Sequence, residues 1–464
     1  MIHSSLNAGP HCADFAAGEV SFDFGGLTSA TDLDLNDLPT VQRAPLDWHT
    51  AQGSRVRFIE SRELAVVDIV LRFAAGSSLD GNLAGLAATT LYMLDQGADD
   101  LDAQGLATAL EDLGAELGKQ LDVDHASLSL RCLSAASVRA QALHLFMAVA
   151  ARPRFEAAAL DKIKRRLLSH LALVEQSPDR LLQRAVLNEL FVDHPYGDYV
   201  NGSEAGVSAL SVEHLRDFHQ RAYSANNLEI AIVGDLSSNE ARALADAISS
   251  ALPQHWAAAA LPPAPAPGAT RRELTFPSAG TSIALALPLH LTPQHEDYPA
   301  VLLGCTVLGS GASSRLMEHL RQRRNLTYDI RVTPTLWQAG GLLTVRWEIA
   351  AHYAEASRQL VLAIIACFLE HGPTQAELER AVNQRAGALL LEAARNDQAA
   401  VLLAQHSQHG LPAGYLTDFI EQLRQVTPQQ VRQALQRWID VRGISFFSIG
   451  PRQAQQHLPD RPEV

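Results

Sequence analysis

The chain has 464 residues, 47% of them apolar and 19% charged, with a formal net charge of −14. That is a globular composition too long for one ordinary core, and it excludes disordered and fibrous classes. The basic residues are mostly scattered arginines, so no concentrated basic face is offered to nucleic acid, and no run of eighteen uninterrupted apolar residues predicts a membrane span.

Residues 1–45 are polar, irregular and rich in Asp and Leu, which predicts an extension rather than a domain. No basic n-region followed by an apolar h-region occurs there, so a cytoplasmic location is the default, and a periplasmic one follows if a leader has been removed. Residues 65–73 form a β-branched strand pattern that leads into a helical one, and residues 121–134 read as strand, turn, strand. Two helical stretches follow, with Pro153 between them. Ser211 then caps a helix that runs into the apolar strand pattern 228–234, ending at Gly234.

Residues 257–270 (AAAALPPAPAPGAT) predict an extended, semi-rigid linker, because proline fixes φ and lacks a donor. Beyond it the same order returns. A strand pattern at 281–287 precedes a helical stretch, residues 326–349 read as a hairpin, and Pro373 separates two helices. Thr427 caps a helix with Pro428 at its first position, and a strand pattern ends at Gly450. A single offset of 216 residues superimposes both caps and both terminal glycines. The prediction is an α+β fold of two homologous halves, each a mostly antiparallel sheet covered by helices: 1–45 extension, 46–256 first domain, 257–270 linker, 271–464 second domain.

The four cysteines, Cys12, Cys132, Cys305 and Cys367, form no paired motif, and three of them lie in apolar stretches as small buried hydrophobes. Two histidine groups, His406 with His409 and His295 with Glu296, lack a third ligand and read as polar surface.

The run 55–97, the segment Asp193-His-Pro-Tyr-Gly197, the strand end Val233-Gly-Asp235 and the duplicated plan resemble the insulinase and processing-peptidase superfamily over roughly residues 50–450. Active members carry His-x-x-Glu-His on a helix. Histidines at i and i+4 share one face and hold zinc, while the Glu takes a proton from the bound water. The lead-in Gly85-Leu-Ala is present here, but Ala88 and Tyr92 stand at the histidine positions, Leu91 at the base and Ser169 at the distal ligand. The resemblance therefore implies a chain that binds no cofactor, with zinc in a homologous partner subunit that has an intact motif.

In two-chain bacterial members an Arg and a Tyr four residues apart reach the opposite active site, and the resemblance places these at Arg324 and Tyr328. Family members usually carry Gly where Asn325 stands, and Asn is the next best residue for a left-handed helix end. The segment Gly309, Ser310, Gly311 and Ala312 reads either as a substrate-guiding loop or as a helix-entry turn. By resemblance the function is that of a zinc-free accessory subunit of a heterodimeric endopeptidase, enclosing unfolded peptides. The alternative is a purely structural subunit.

Overall fold

The computed structural model describes residues 45–459; the expected N-terminal extension and Cys12 lie outside them, Pro45 excepted. The first half builds a sheet from β1 (Leu46–His49), β2 (Arg55–Glu60), β3 (Val66–Phe73), β6 (Glu116–Leu121), β7 (Ala126–Leu133) and β8 (Leu228–Gly234). The two-residue strands β4 (Gly97–Ala98) and β5 (Leu101–Asp102) pair separately. The strand order is β1-β2-β8-β3-β7-β6, antiparallel except at β2–β8.

The helices of this half are α1 (Leu86–Met93), α2 (Ala103–Asp112), α3 (Ala136–Ala151), α4 (Ala157–Val174), α5 (Pro178–Leu190), α6 (Glu204–Ala209), α7 (Val212–Ala222) and α8 (Ser238–Ala251). The hairpin spans 116–133 rather than 121–134, because Gly118 and Lys119 in β6 blur its apolar alternation. The helix after β3 is only eight residues long.

The second sheet has the order β11-β12-β10-β13-β9. Its strands are β9 (Arg271–Thr275), β10 (Thr281–Pro288), β11 (Ile330–Trp337), β12 (Gly340–Ile349) and β13 (Ser445–Gly450). The helices of this half are α9 (Tyr298–Gly309), α10 (Arg315–Met317), α11 (Ala354–His371), α12 (Gln375–Ala394), α13 (Asn396–Gln408), α14 (Tyr415–Gln425) and α15 (Pro428–Trp438).

The repeat is visible in its chemistry. Ser211 and Thr427 each accept from the backbone N–H three residues on, that of His214 and of Gln430, and complete capping boxes with the side chains of those residues. The repeated terminal glycines mark close approach: a Cβ at Gly234 would stand 2.4 Å from Val66 O, and one at Gly450 2.4 Å from Thr281 Oγ1.

The halves exchange a helix. From the first half, α5 lays Leu182, Val186 and Leu190 on Ala284, Ala286, Phe447 and Ile449 of the second sheet. From the second, α13 lays Ala399, Ala400 and Leu403 on Ile59, Val70, Ala231 and Val233 of the first. The other face of each sheet packs against its own helices. Both faces are thus buried, which is why the central strands read as unbroken apolar runs.

Residues between α8 and β9 form no helix or strand, yet they are fastened to both halves. Ala264 N–H donates to Ala339 O at 2.7 Å, and Pro262 O lies 3.0 Å from His194 Nε2. Cys132, Cys305 and Cys367 are buried, Cys367 Sγ lying 3.8 Å from His371 Nδ1. Among the described residues no helix is long and apolar enough to cross a membrane.

Candidate functional site

The helix that would carry the metal ligands begins at Gly85, whose φ of 103° puts it in the left-handed region. A Cβ there would stand 2.8 Å from Val207. Asp80 accepts from the backbone N–H of Gly85 at 2.6 Å and of Ala87 at 2.8 Å, so a carboxylate sits at the positive end of α1. Burial pushes that carboxyl up to about 7 despite these donors. The start of α1, the helix to which the resemblance assigns the ligand positions, is therefore firmly held. Ala88 and Leu91 are 0% exposed and belong to the core.

Tyr92 stays half-buried with cations on its ring, Lys119 Nζ 5.7 Å and Arg166 Cζ 5.8 Å from the centroid. Lys119 pairs with Asp95 at 2.6 Å. Ser169 is exposed on α4, and the neighbouring His170 contacts Tyr199 Oη at 3.2 Å and Asn201 Nδ2 at 3.5 Å. Among the described residues no three His, Cys, Asp or Glu side chains come together to hold a metal. Arg166 beside Tyr92 adds charge of the wrong sign for a dication. The residues do not fit zinc.

His406 and His409 depart from the polar-surface reading. His406 packs edge-on against Tyr415 at 5.0 Å, and burial holds it down at about 4, with Arg57 adding to the effect.

Arg324 and Tyr328 follow an irregular helix end. Ser314 Oγ donates to Gly311 O at 2.9 Å, Gln384 Nε2 to Ser310 Oγ at 3.1 Å and Gln322 Nε2 to Ala312 O at 2.6 Å, which fixes the turn from Gly309 into α10. Arg315 is buried in a bidentate pair with Glu377 at 2.7 and 2.8 Å, and its guanidinium lies 4.6 Å over Phe368. A π-helical turn, Glu318–Gln322, follows. The widened turn lets Arg324 donate back to His319 O at 3.0 Å, and Asn325 takes the left-handed conformation its type predicts, φ 52°. The chain then reverses, and Tyr328 emerges 89% exposed. Tyr328 lines an open groove of 820 Å³ with Asn325, Arg331, Arg346, Glu348 and, from the first half, Asp179. The sequence-expected pair thus divides: Arg324 is half-buried along its own helix end, whereas Tyr328 projects.

The segment that includes Tyr196 has a structural task. Tyr196, 0% exposed, donates to Asp124 Oδ1 at 2.8 Å and accepts from Ala339 N–H at 2.9 Å, while Gln338 N–H donates to Asp124 Oδ2 at 3.0 Å. His125 Nδ1 meets Gln408 Nε2 at 2.8 Å, and Arg72 donates to Gln408 and to Asp122. This polar network ties the first hairpin to the second half. Spacing could not reveal it, since its members are spread from residue 72 to 408.

The duplicated fold and the absence of a three-ligand cluster among the described residues are matched by known proteins. Residues 209–385 match the family model described as Peptidase M16 inactive domain. The crystal structure of a peptidase M16 inactive domain from Pseudomonas fluorescens superimposes with a TM-score of 0.87 at 36% identity, over 89% of this chain and 100% of that one. A protease from Helicobacter pylori shares the fold with a TM-score of 0.80 at 17% identity, over 88% of this chain and 100% of that one. The non-peptidase homolog YmxG of Helicobacter pylori is 22% identical over 86% of this chain and 92% of its own length. An uncharacterized zinc protease of Mycobacterium tuberculosis is 25% identical over 91% and 97%. The chain belongs to the M16 peptidase family, as a member without the metal-binding residues of a peptidase.

Proposed function

We propose that this chain is the zinc-free subunit of a two-chain zinc endopeptidase, with a homologous partner that supplies an intact His-x-x-Glu-His motif and its zinc. The observation that carries this reading is Tyr328, a large aromatic side chain 89% exposed at the rim of the 820 Å³ groove. Isolated apolar surface residues are ordinary, but a phenol held out by a fixed turn is placed to act on something outside its own chain. In zinc-dependent peptide hydrolysis, negative charge develops on the scissile carbonyl oxygen. A positioned phenol or guanidinium stabilises that charge more in the transition state than in the ground state. Tyr328 Oη takes this role, Arg324 braces the helix end that precedes it through its bond to His319 O, and the segment Gly309–Ser310–Gly311–Ala312 borders the substrate path. The two subunits together enclose unfolded peptide.

A purely structural subunit is the second reading. It is favoured by the bond from Arg324 to His319 O, which already occupies part of the guanidinium. Mixing this chain with a partner that carries the intact motif, and following a quenched peptide, separates the two. The catalytic reading expects hydrolysis only by the mixture, with one zinc per heterodimer. A partner equally active without this chain, or stoichiometric zinc in this chain alone, contradicts it.

A further inference from the structure

The position vacated by zinc is not simply closed. Arg166 on α4 lies against the Tyr92 ring, and Arg180 on α5 has Nη1 3.4 Å from His170 Nε2. Both arginines are exposed, and among the described residues neither is in an ion pair with a carboxylate. Lys119, also near the Tyr92 ring, is already neutralised by Asp95. An unspent positive field thus converges on Tyr92, His170 and Asn201. The imidazole of His170 reports it: burial lowers its pKa, and Arg180 and then Arg166 lower it further, so it stands as a neutral hydrogen-bonding group between two cations.

The second observation is the strand beside it. β6 closes its sheet and pairs only with β7, so its outer backbone groups have no strand partner among the described residues. Strand alternation puts Leu117, Lys119 and Leu121 on one face, and Leu117 and Leu121 pack on the first-half core to which α1 belongs. Lys119 therefore joins the open edge to the Tyr92 cluster. A peptide laid along this edge obtains main-chain hydrogen bonds irrespective of its sequence. At the cluster it meets guanidinium groups, which suit a planar carboxylate bound through two oxygens.

We propose that the vacated zinc position is a carboxylate-binding site, taking the C-terminal α-carboxylate of an extended peptide added to β6, with Arg166 and Arg180 as charge partners and Tyr92 and Asn201 as neutral ones. With no metal and no base, the site holds an anion and performs no bond cleavage. Where the ancestral arrangement acts in the middle of a peptide, this one recognises its end. The peptide as ligand class follows from the chamber reading above. The site needs only this chain, however, so its test is independent of any partner's turnover.

The test uses the purified full chain and fluorescence anisotropy of one labelled decapeptide in two forms, free acid and C-terminal amide. A third form, amidated but carrying an internal Glu, separates a terminal carboxylate from a side-chain one. The free acid is expected to bind about tenfold more tightly than either other form, the gain narrowing as salt rises. Arg166→Gln and Arg180→Gln, both at exposed positions, are each expected to remove most of that preference. Equal binding of acid and amide, absence of binding by both, or an acid preference that survives both substitutions overturns the proposal.

Discussion

The buried pair Arg315–Glu377 offers a quantitative test of how the Tyr328 segment is held. Both side chains are about 5% exposed or less. Arg315 donates twice to Glu377, once to Gly372 O at 3.1 Å, and lies over Phe368. Glu377 also completes the capping box of α12, accepting from Thr374 N–H at 2.7 Å and Oγ1 at 3.0 Å. Burial raises its carboxyl, but the Arg315 and Thr374 bonds outweigh that and hold it below its usual range.

Arg315→Met leaves a buried carboxylate without its cation, which costs about 3–5 kcal/mol; the surviving Thr374 bonds place the result near the lower end, about 3. Glu377→Gln strands the guanidinium at a similar cost. The double variant removes both charges, while Gln still accepts from Thr374, so its loss is about 1–2 kcal/mol and the coupling is strongly favourable. Urea unfolding of the four proteins, with equal m-values required, gives each quantity. Single variants that lose less than about 1 kcal/mol, or that add without coupling, refute this account of the anchor.

Two further outcomes concern the contact between the halves. Tyr196→Phe strands Asp124 and Ala339 N–H in a buried network, so a stability loss of about 1–3 kcal/mol is expected by urea denaturation. Burial holds the His125 imidazole at about 4, although Asp122 opposes it; Arg72 and His409 add to the depression. From pH 6.5 down to 4 the unfolded chain takes up a proton that the folded imidazole refuses, so this group's contribution is complete above 6.5 and lost as pH falls to 4. It amounts to about 3 kcal/mol. Asp68 and Asp80, raised to about 6 and about 7 by burial, act in the opposite sense. The readout is therefore the difference between wild type and His125→Gln across that range. A difference independent of pH contradicts the assignment.

Much of the architecture was legible because the repeat obeys local chemistry. Ser211 and Thr427 are caps, Gly234 and Gly450 are close approaches, and Pro153 and Pro373 separate helices. The absence of His at positions 88 and 92 was legible too, since a missing residue type needs no geometry to be seen. What escaped were features created by distant contacts. The exchange of α5 and α13 leaves no spacing signal, and neither does the pairing of Asp124 with Tyr196 or the gathering of Lys119 and Arg166 on Tyr92. The π-helical turn escaped as well: residues 315–324 carry an ordinary helical pattern, and the widening is settled by the buried Arg315 anchor and the reversal at Asn325.

The central claim is that this chain contributes a transition-state contact to a partner's zinc site. Its most direct measurement is kcat of the reconstituted complex with Tyr328→Phe, which removes one hydroxyl from a side chain 89% exposed and leaves the fold untouched. The account predicts a fall in kcat of about 10²-fold, with KM and heterodimer affinity close to wild type. An unchanged kcat in a complex of normal affinity contradicts it and leaves the structural reading in place.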